Sequence, residues 1–330
     1  MHIKIKYFFR KPSANFHSIE ELFSNFQCFL PEESFFENVY MPYHEGVFGR
    51  LKNIFFAKKN VGQLNHITGD VNYIALGLPK RNTILTIHDI GSALKVSFFK
   101  RILIKSIWFN IPFRRVHKVS VISDFSKNEV VKTFKINENK IVVIPNCVSD
   151  KFQPKRKDFN SDYPNILIVG TKENKNIVRS IEALKGIRCS VTIIGKLTKS
   201  IENKLHDFKL DYKNYFNLDF EEVVKLYESA DLLLFPSTYE GFGVPIIEAQ
   251  ATGTPVITSD LKPMNEVAGD GAMLINPFRV SDIENSIRKM ISDDAYRESL
   301  IENGLENVKK YRCKEVAKMY YELYVDVLKK

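Results

Sequence analysis

Short apolar runs rich in Ile, Val and Leu punctuate the chain, separated by stretches of helical period. Residues 3–9 (IKIKYFF), 82–90 (NTILTIHDI), 117–123 (HKVSVIS) and 140–146 (KIVVIPN) read as strands, the last stopped by proline. Residues 18–26 (SIEELFSNF) and 124–134 (DFSKNEVVKTF) read as helices with Ser or Asp at their starts. The pattern then restarts. Strands are predicted at 164–170, 189–195, 231–237 and 254–260, and helices at 175–184, 220–230 and 244–253. Strands alternating with helices imply parallel sheets covered on both faces. Residues 148–163 are polar, charged and proline-bearing, and read as a linker. The expected organisation is two doubly wound α/β domains, 1–150 and 151–313, with a last helix over about 314–330. Ligands of such sheets bind beyond the carboxyl ends of the strands, so the expected site is a central cleft which both domains face.

Length agrees, since 330 residues are too many for one ordinary core. There is no run of 18 apolar residues and the N-terminus lacks the order of a signal peptide, so a cytoplasmic protein is expected. The four cysteines are widely spaced and read as reduced thiols. Charge changes the picture more. Residues 1–150 carry 21 Lys and Arg against 12 Asp and Glu, whereas residues 151–330 carry 27 of each. The whole excess of +9 therefore lies in the first half. It is either a solvated lysine-rich surface or a face for an anionic partner. Within residues 94–118, basic residues interleave with Phe98, Phe99, Ile102, Leu103, Trp108 and Phe109. This reads either as an anionic-membrane surface, giving peripheral association at the inner face, or as a buried helix with a wet lysine face. No nucleic-acid recognition module is visible.

Candidate chemistry concentrates in residues 236–257 (PSTYEGFGVPIIEAQATGTPVI). A buried strand opens into Glu240-Gly241-Phe242-Gly243, and Val244 begins a helix that carries Glu248. Glycines admit close approach of a ligand to the backbone, and helix-start amides suit a diphosphate. A carboxylate on that helix suits sugar hydroxyls. Residues 168–176 (IVGTKENKN) place Gly170, Thr171 and Lys175 beyond another strand, and Lys196 follows a third. In the first half, His88 and the pair His66 and Thr68 stand at strand ends.

The string EGFGVPIIE, with FPS before it and EAQATGTPVITSD after it, resembles the signature of retaining glycosyltransferases of the GT-B fold, family 4. The resemblance implies a nucleotide-sugar donor held by the C-terminal domain. Glu248 would bind the ribose, Glu240 would lie near the donor sugar, and the turn Gly241 to Val244 would meet sugar and phosphate. Lys175 maps onto the phosphate-binding lysine. Thr171 stands where many relatives carry arginine, so Lys172 or Lys196 is left as the second cation. His88 would touch the sugar as a catalytic residue, and the last helix would cross back onto the N-terminal domain. A glycine-rich loop expected after the first strand is absent and Arg10, Lys11 and Ser13 stand in its place; Arg10, Ser13, His66 and Thr68 are read as the acceptor side. Asn146-Cys147-Val148 stands in place of Asn-Gly-Val. The implied activity is transfer of a hexosyl unit from a UDP- or GDP-sugar to a glycan or lipid-linked acceptor in cell-surface polysaccharide synthesis. No cofactor is implied, and no metal, because there is no Asp-x-Asp pair to hold one. Alternatives are a nucleotide-sugar epimerase of the same fold and a non-catalytic nucleotide-sugar-binding protein.

Overall fold

The computed structural model describes residues 2–11, 18–43, 46–91, 105–155 and 157–329. The chain divides into two compact units. One comprises Met1–Cys147 with Cys313–Lys330, and the other comprises Val148–Arg312.

The first unit runs β1 (Ile3–Phe9), α1 (Ser18–Gln27), β2 (Ser34–Tyr40), α2 (Val47–Lys59), β3 (Leu64–Ile67), β4 (Thr83–Ile87), α3 (Ile111–Arg115), β5 (Lys118–Val121), α4 (Asp124–Phe134) and β6 (Ile141–Val143). A π-helical turn, Lys105–Asn110, leads into α3. The strands form one parallel sheet in the order β2-β1-β3-β4-β5-β6. β3 and β4 are buried at every position, as parallel strands covered on both faces must be. The order reverses at β1, so the loops after β1 and β3 part at a switch point.

The C-terminal helix belongs to this unit. Its Cys313, Val316, Ala317, Tyr320 and Tyr324 share a core with Ile3, Tyr7, Phe23 and Leu64. At the centre is a fully buried polar chain. The Tyr7 and Tyr324 hydroxyls lie 3.0 Å apart. His66 Nδ1 lies 2.8 Å from the Tyr324 hydroxyl, and its Nε2 lies 2.7 Å from Thr86 Oγ1. Thr86 Oγ1 in turn lies 2.6 Å from Ser120 Oγ. Both ring nitrogens of His66 are therefore engaged and none of the ring meets solvent. This corrects its acceptor-side reading: His66 fastens the last helix to the sheet. Thr68 needs the same correction, for its buried hydroxyl donates to the Phe8 carbonyl oxygen at 2.9 Å.

Burial, with a smaller contribution from His88, pushes the pKa of His66 down to about 3. The ring is thus neutral in the fold and takes a proton near 6.5 once unfolded. Its stabilising contribution is complete above pH 6.5 and is lost as pH falls from 6.5 toward 3. Unfolding free energy from urea titration should be about 2 kcal/mol lower at pH 5 than at pH 7 on this account. A His66→Asn variant, less stable throughout, should lose that slope; an unchanged slope would exclude His66 as its source.

The second unit runs β7 (Asn165–Val169), α5 (Ile177–Leu184), β8 (Ser190–Ile194), α6 (Lys199–Asp207), β9 (Asp211–Tyr215), α7 (Phe220–Ser229), β10 (Leu232–Phe235), α8 (Val244–Thr252), β11 (Val256–Ser259), α9 (Met264–Ala268), β12 (Met273–Ile275), α10 (Val280–Ser292) and α11 (Asp294–Val308). The last helix of the chain is α12 (Cys313–Leu328). The sheet order β12-β11-β10-β7-β8-β9 is that of a dinucleotide-binding fold, and its switch point lies between β7 and β10.

The expected linker 148–163 is instead part of this unit. Phe152 is buried, with its ring edge-on to Tyr227 at 5.3 Å and to Phe220 at 5.6 Å. Lys157 Nζ donates to the carbonyl oxygens of Glu228 and Ala230 and to the Thr254 hydroxyl. Polar composition here reflects lysine stems laid on a surface, with the ammonium satisfied by α7's carbonyl ends.

Candidate functional site

β7 and β10 run side by side and parallel, with Ile166 opposite Leu232 and Leu167 opposite Leu233. Their carboxyl ends release two loops, 170–176 and 236–243, at the switch point of the sheet. Lys175 closes a 3-10 turn, Glu173–Lys175, rather than opening a helix; α5 begins two residues later. Its Nζ donates to Glu240 Oε1 at 2.7 Å, and both side chains are largely buried, at 19% and 14% exposure. The ammonium also lies 4.7 Å from the centre of the Phe235 ring. Gly170, at φ +89°, makes this possible, because a Cβ there would stand 2.8 Å from Lys175 Cγ. The close approach is thus between glycine and the lysine stem.

Two asparagines hold the loops. Asn174 Nδ2 donates to the Tyr239 carbonyl oxygen at 2.9 Å and reaches Glu240 Oε1 at 3.4 Å. The Thr238 amide returns a bond to the Asn174 carbonyl oxygen. Asn176 takes a left-handed conformation, φ 58°, at the start of α5. Its Nδ2 donates to the carbonyl oxygens of Pro236 and Pro277, at 3.1 and 2.7 Å. The sequence reading missed both roles. The signal for Asn176 was its residue type, since asparagine tolerates this conformation better than most.

Gly243 stands before α8 at φ 105°, and no side chain caps that helix. Pro245, in the first turn, has no N–H to offer. The Phe242 side chain is buried against Tyr311, edge-on at 5.5 Å, so it anchors the loop and its ring is no part of a ligand surface. Glu248 lies one turn along α8 from Val244. Its Oε2 accepts a 2.5 Å bond from the hydroxyl of Tyr227, which is fully buried on α7. Burial, then the neighbouring carboxylate, raise the Tyr227 pKa well above its ordinary value, so it remains a donor. Tyr227 is a further residue that the sequence reading missed.

Thr171 Oγ1 donates to the Lys196 carbonyl oxygen at 2.7 Å, tying the loops after β7 and β8. Its hydroxyl proton is thereby used. The Lys196 side chain is exposed.

In the first unit, Arg10 follows β1 and is held on both sides. It grips Glu20 through Nε and Nη2, at 3.1 and 3.2 Å, and Asp70 through Nη1 at 2.5 Å. His88 follows β4, and its Nε2–H donates to the Thr68 carbonyl oxygen at 2.7 Å. Burial lowers its pKa from the ordinary value. Gly69, at φ +132°, gives the ring its place: a Cβ there would meet His88 Cδ2 at 2.8 Å. Ser13 lies outside the described residues, as do 94–104 of the basic stretch, with Phe98, Phe99, Ile102 and Leu103. Of its described aromatics, Phe109 and Phe113 are buried and Trp108 packs against Tyr73 at 5.4 Å, so none is offered to a membrane. Among the described residues no group of three or more His, Cys, Asp and Glu lies together, and no helix is long and apolar enough to cross a membrane.

Two parallel six-stranded sheets flanked by helices, each with a switch-point crevice, define the GT-B fold. Residues 149–307 match the family described as glycosyl transferases group 1, and residues 65–152 match glycosyltransferase family 4. The chain belongs to the group 1, family 4 glycosyltransferases. It is similar to the O-antigen chain mannosyltransferase RfbU of Salmonella typhimurium, 33% identical over 64% of this chain and 61% of that protein. It is also similar to O-antigen chain mannosyltransferase B of Escherichia coli, 27% identical over 58% of this chain and 56% of that protein. The match thus spans less than two thirds of either relative. In fold it is similar to Anabaena Alr3699/HepE, solved with UDP and glucose, at a TM-score of 0.80 and 15% identity over 98% of this chain and all of that one.

Proposed function

We propose that this protein is a retaining glycosyltransferase that moves a hexosyl unit from a nucleotide-diphosphate sugar to a glycan or lipid-linked acceptor in cell-surface polysaccharide synthesis. The observation that carries this reading is the Lys175–Glu240 pair at the switch point of the second sheet. A compact, desolvated cation stands there, where a doubly wound sheet receives a ligand's phosphates. The named relatives favour mannose as the sugar.

In this reading the bond from the sugar's C1 to the diphosphate oxygen breaks as the acceptor oxygen bonds to C1 on the same face. The acceptor's proton leaves with the diphosphate. Lys175 Nζ meets the growing negative charge. Glu240, freed in part from Lys175, accepts from a sugar hydroxyl. Glu248 accepts from the ribose hydroxyls while Tyr227 fixes its carboxylate. Neutral His88, anchored through Nε2, offers Nδ1 as an acceptor. Gly241, Gly243 and the Val244 amide border the phosphates, Gly170 gives the Lys175 stem its path, and exposed Lys196 supplies the second cation. The chemistry assigns no role to a metal or a cofactor.

A thermal-shift titration with UDP, GDP, ADP and their sugars tests the donor site. One nucleotide should raise stability by about 2.7 kcal/mol at a hundred times its Kd. Glu248→Ala should weaken it roughly tenfold, and Tyr227→Phe by a smaller factor, since it removes only the anchor. Equal affinity in wild type and Glu248→Ala would remove Glu248 from the site. Nucleotide binding without transfer to any acceptor would mark a binding protein instead.

A further inference from the structure

The inner face of α2 is firmly placed. Asn53 is buried there; its Nδ2 donates to the Tyr73 hydroxyl at 2.9 Å, and its Oδ1 accepts from the Tyr43 amide at 3.2 Å. Ala57 is buried one turn on. The orientation of the helix about its axis is therefore set, and so is what it turns outward. Phe48, Leu51 and Phe55 fall at i, i+3 and i+7, one above the other on the opposite face. They are 82%, 48% and 64% exposed, and Val47 beside them is 70% exposed. A stripe of large apolar side chains in water is a feature that soluble surfaces seldom carry.

Charge identifies what covers it. Lys52 and Lys59 flank the stripe on one side and Lys58 on the other, all exposed. No acidic residue occurs from Gly46 to Gln63. Aromatic and leucine side chains in the middle, with lysines along both borders, is the arrangement of an interfacial helix. The rings enter the boundary of headgroups and acyl chains while the ammonium groups reach back to phosphates. A second copy of this chain fits poorly. Packed face to face, each helix would set its Lys52, Lys58 and Lys59 against those of its mate.

We propose that the outer face of α2 is the surface by which this protein rests on an anionic phospholipid bilayer, with Phe48, Leu51 and Phe55 entering the boundary and Lys52, Lys58 and Lys59 meeting the phosphates. Docking by α2 stands apart from the transfer reaction and is measurable without donor or acceptor.

The experiment is co-sedimentation of the full chain with vesicles of phosphatidylcholine alone and of phosphatidylcholine with phosphatidylglycerol. Wild type should pellet with the anionic vesicles, and rising salt should release it. Phe48→Ser/Phe55→Ser should lower partitioning by about a hundredfold. Lys52→Glu/Lys58→Glu/Lys59→Glu should abolish the preference for anionic lipid. All these positions are exposed, and unchanged melting curves would show that the fold is intact. Failure of wild type to pellet, equal pelleting with neutral vesicles, or full binding by the serine variant would each overturn the assignment. So would a concentration-dependent dimer in sedimentation velocity that the serine substitutions abolish, which would give the face to a second copy.

Discussion

Replacing Lys175 by alanine is expected to lower the turnover of sugar transfer by about 10²- to 10³-fold, the usual cost of losing one fixed donor at a developing negative charge. The expectation rests on where the ammonium is held. It is largely shielded from water, 2.7 Å from Glu240 and over the face of Phe235. Its position is thus set before a ligand arrives, and little reorganisation opposes the reaction. In the proposed reaction charge grows on the oxygens of the leaving diphosphate, and Nζ has hydrogens to give besides the one Glu240 takes. Arginine should not restore the rate. The lysine stem passes Gly170 with no room to spare, and a planar guanidinium needs a wider path. Lys175→Ala also strips Glu240 of its main partner, so a loss of folding must be told from a loss of catalysis. The double variant Lys175→Met/Glu240→Gln leaves no unpaired charge, and it should melt near the wild-type temperature while staying as slow as Lys175→Ala. Less than about a threefold drop in kcat for Lys175→Ala, with melting unchanged, would remove the lysine from the phosphate site.

The Lys175–Glu240 pair also shows where reading the sequence stopped. Each residue was legible alone. Gly170 closes an apolar run and Glu240 follows another, because β7 and β10 are central strands buried on both faces. That they meet across 65 residues is a product of topology: β10 returns to pair with β7 on the side away from β8. The same reason hid Tyr227, whose link to Glu248 crosses from α7 to α8. The edge strands β2 and β9 were lost for want of a hydrophobic signal. β9 reads DYKNY and β2 is mostly exposed, since each lies at a margin of its sheet. The histidine at 66 was misjudged for a related cause. Seen alone it stands near a strand end before Thr-Gly-Asp, but its partner Tyr324 arrives 258 residues later. The amphipathic stretch 94–118 drew attention through its composition, yet the exposed apolar stripe flanked by lysines lies on α2, where phenylalanine and lysine were no less visible.

His88 carries the second large effect. His88→Ala is expected to reduce kcat by about a hundredfold, near the lower end of what a positioned acid–base or hydrogen-bonding side chain supplies, with less change in KM. Because Nε2–H is committed to the Thr68 carbonyl oxygen, the neutral ring has its lone pair on Nδ1. A protonated ring would lose that acceptor. Burial disfavours the charged form and holds the pKa below 6.5, so turnover should stay level as pH falls through 6.5 and decline only below it. A decline centred at 6.5 would mean that a histidine with an ordinary pKa governs the rate. Gly69→Ala separates position from chemistry. The new methyl group would stand 2.8 Å from His88 Cδ2, on a backbone at φ +132°, so the ring must shift while its chemistry is retained. Its kcat should fall in the same direction as that of His88→Ala, and the double variant should be little worse than His88→Ala, since both act through one ring. If His88→Ala turns over at the wild-type rate while Glu240→Ala does not, the imidazole holds the loop after β3 in place and takes no part in transfer.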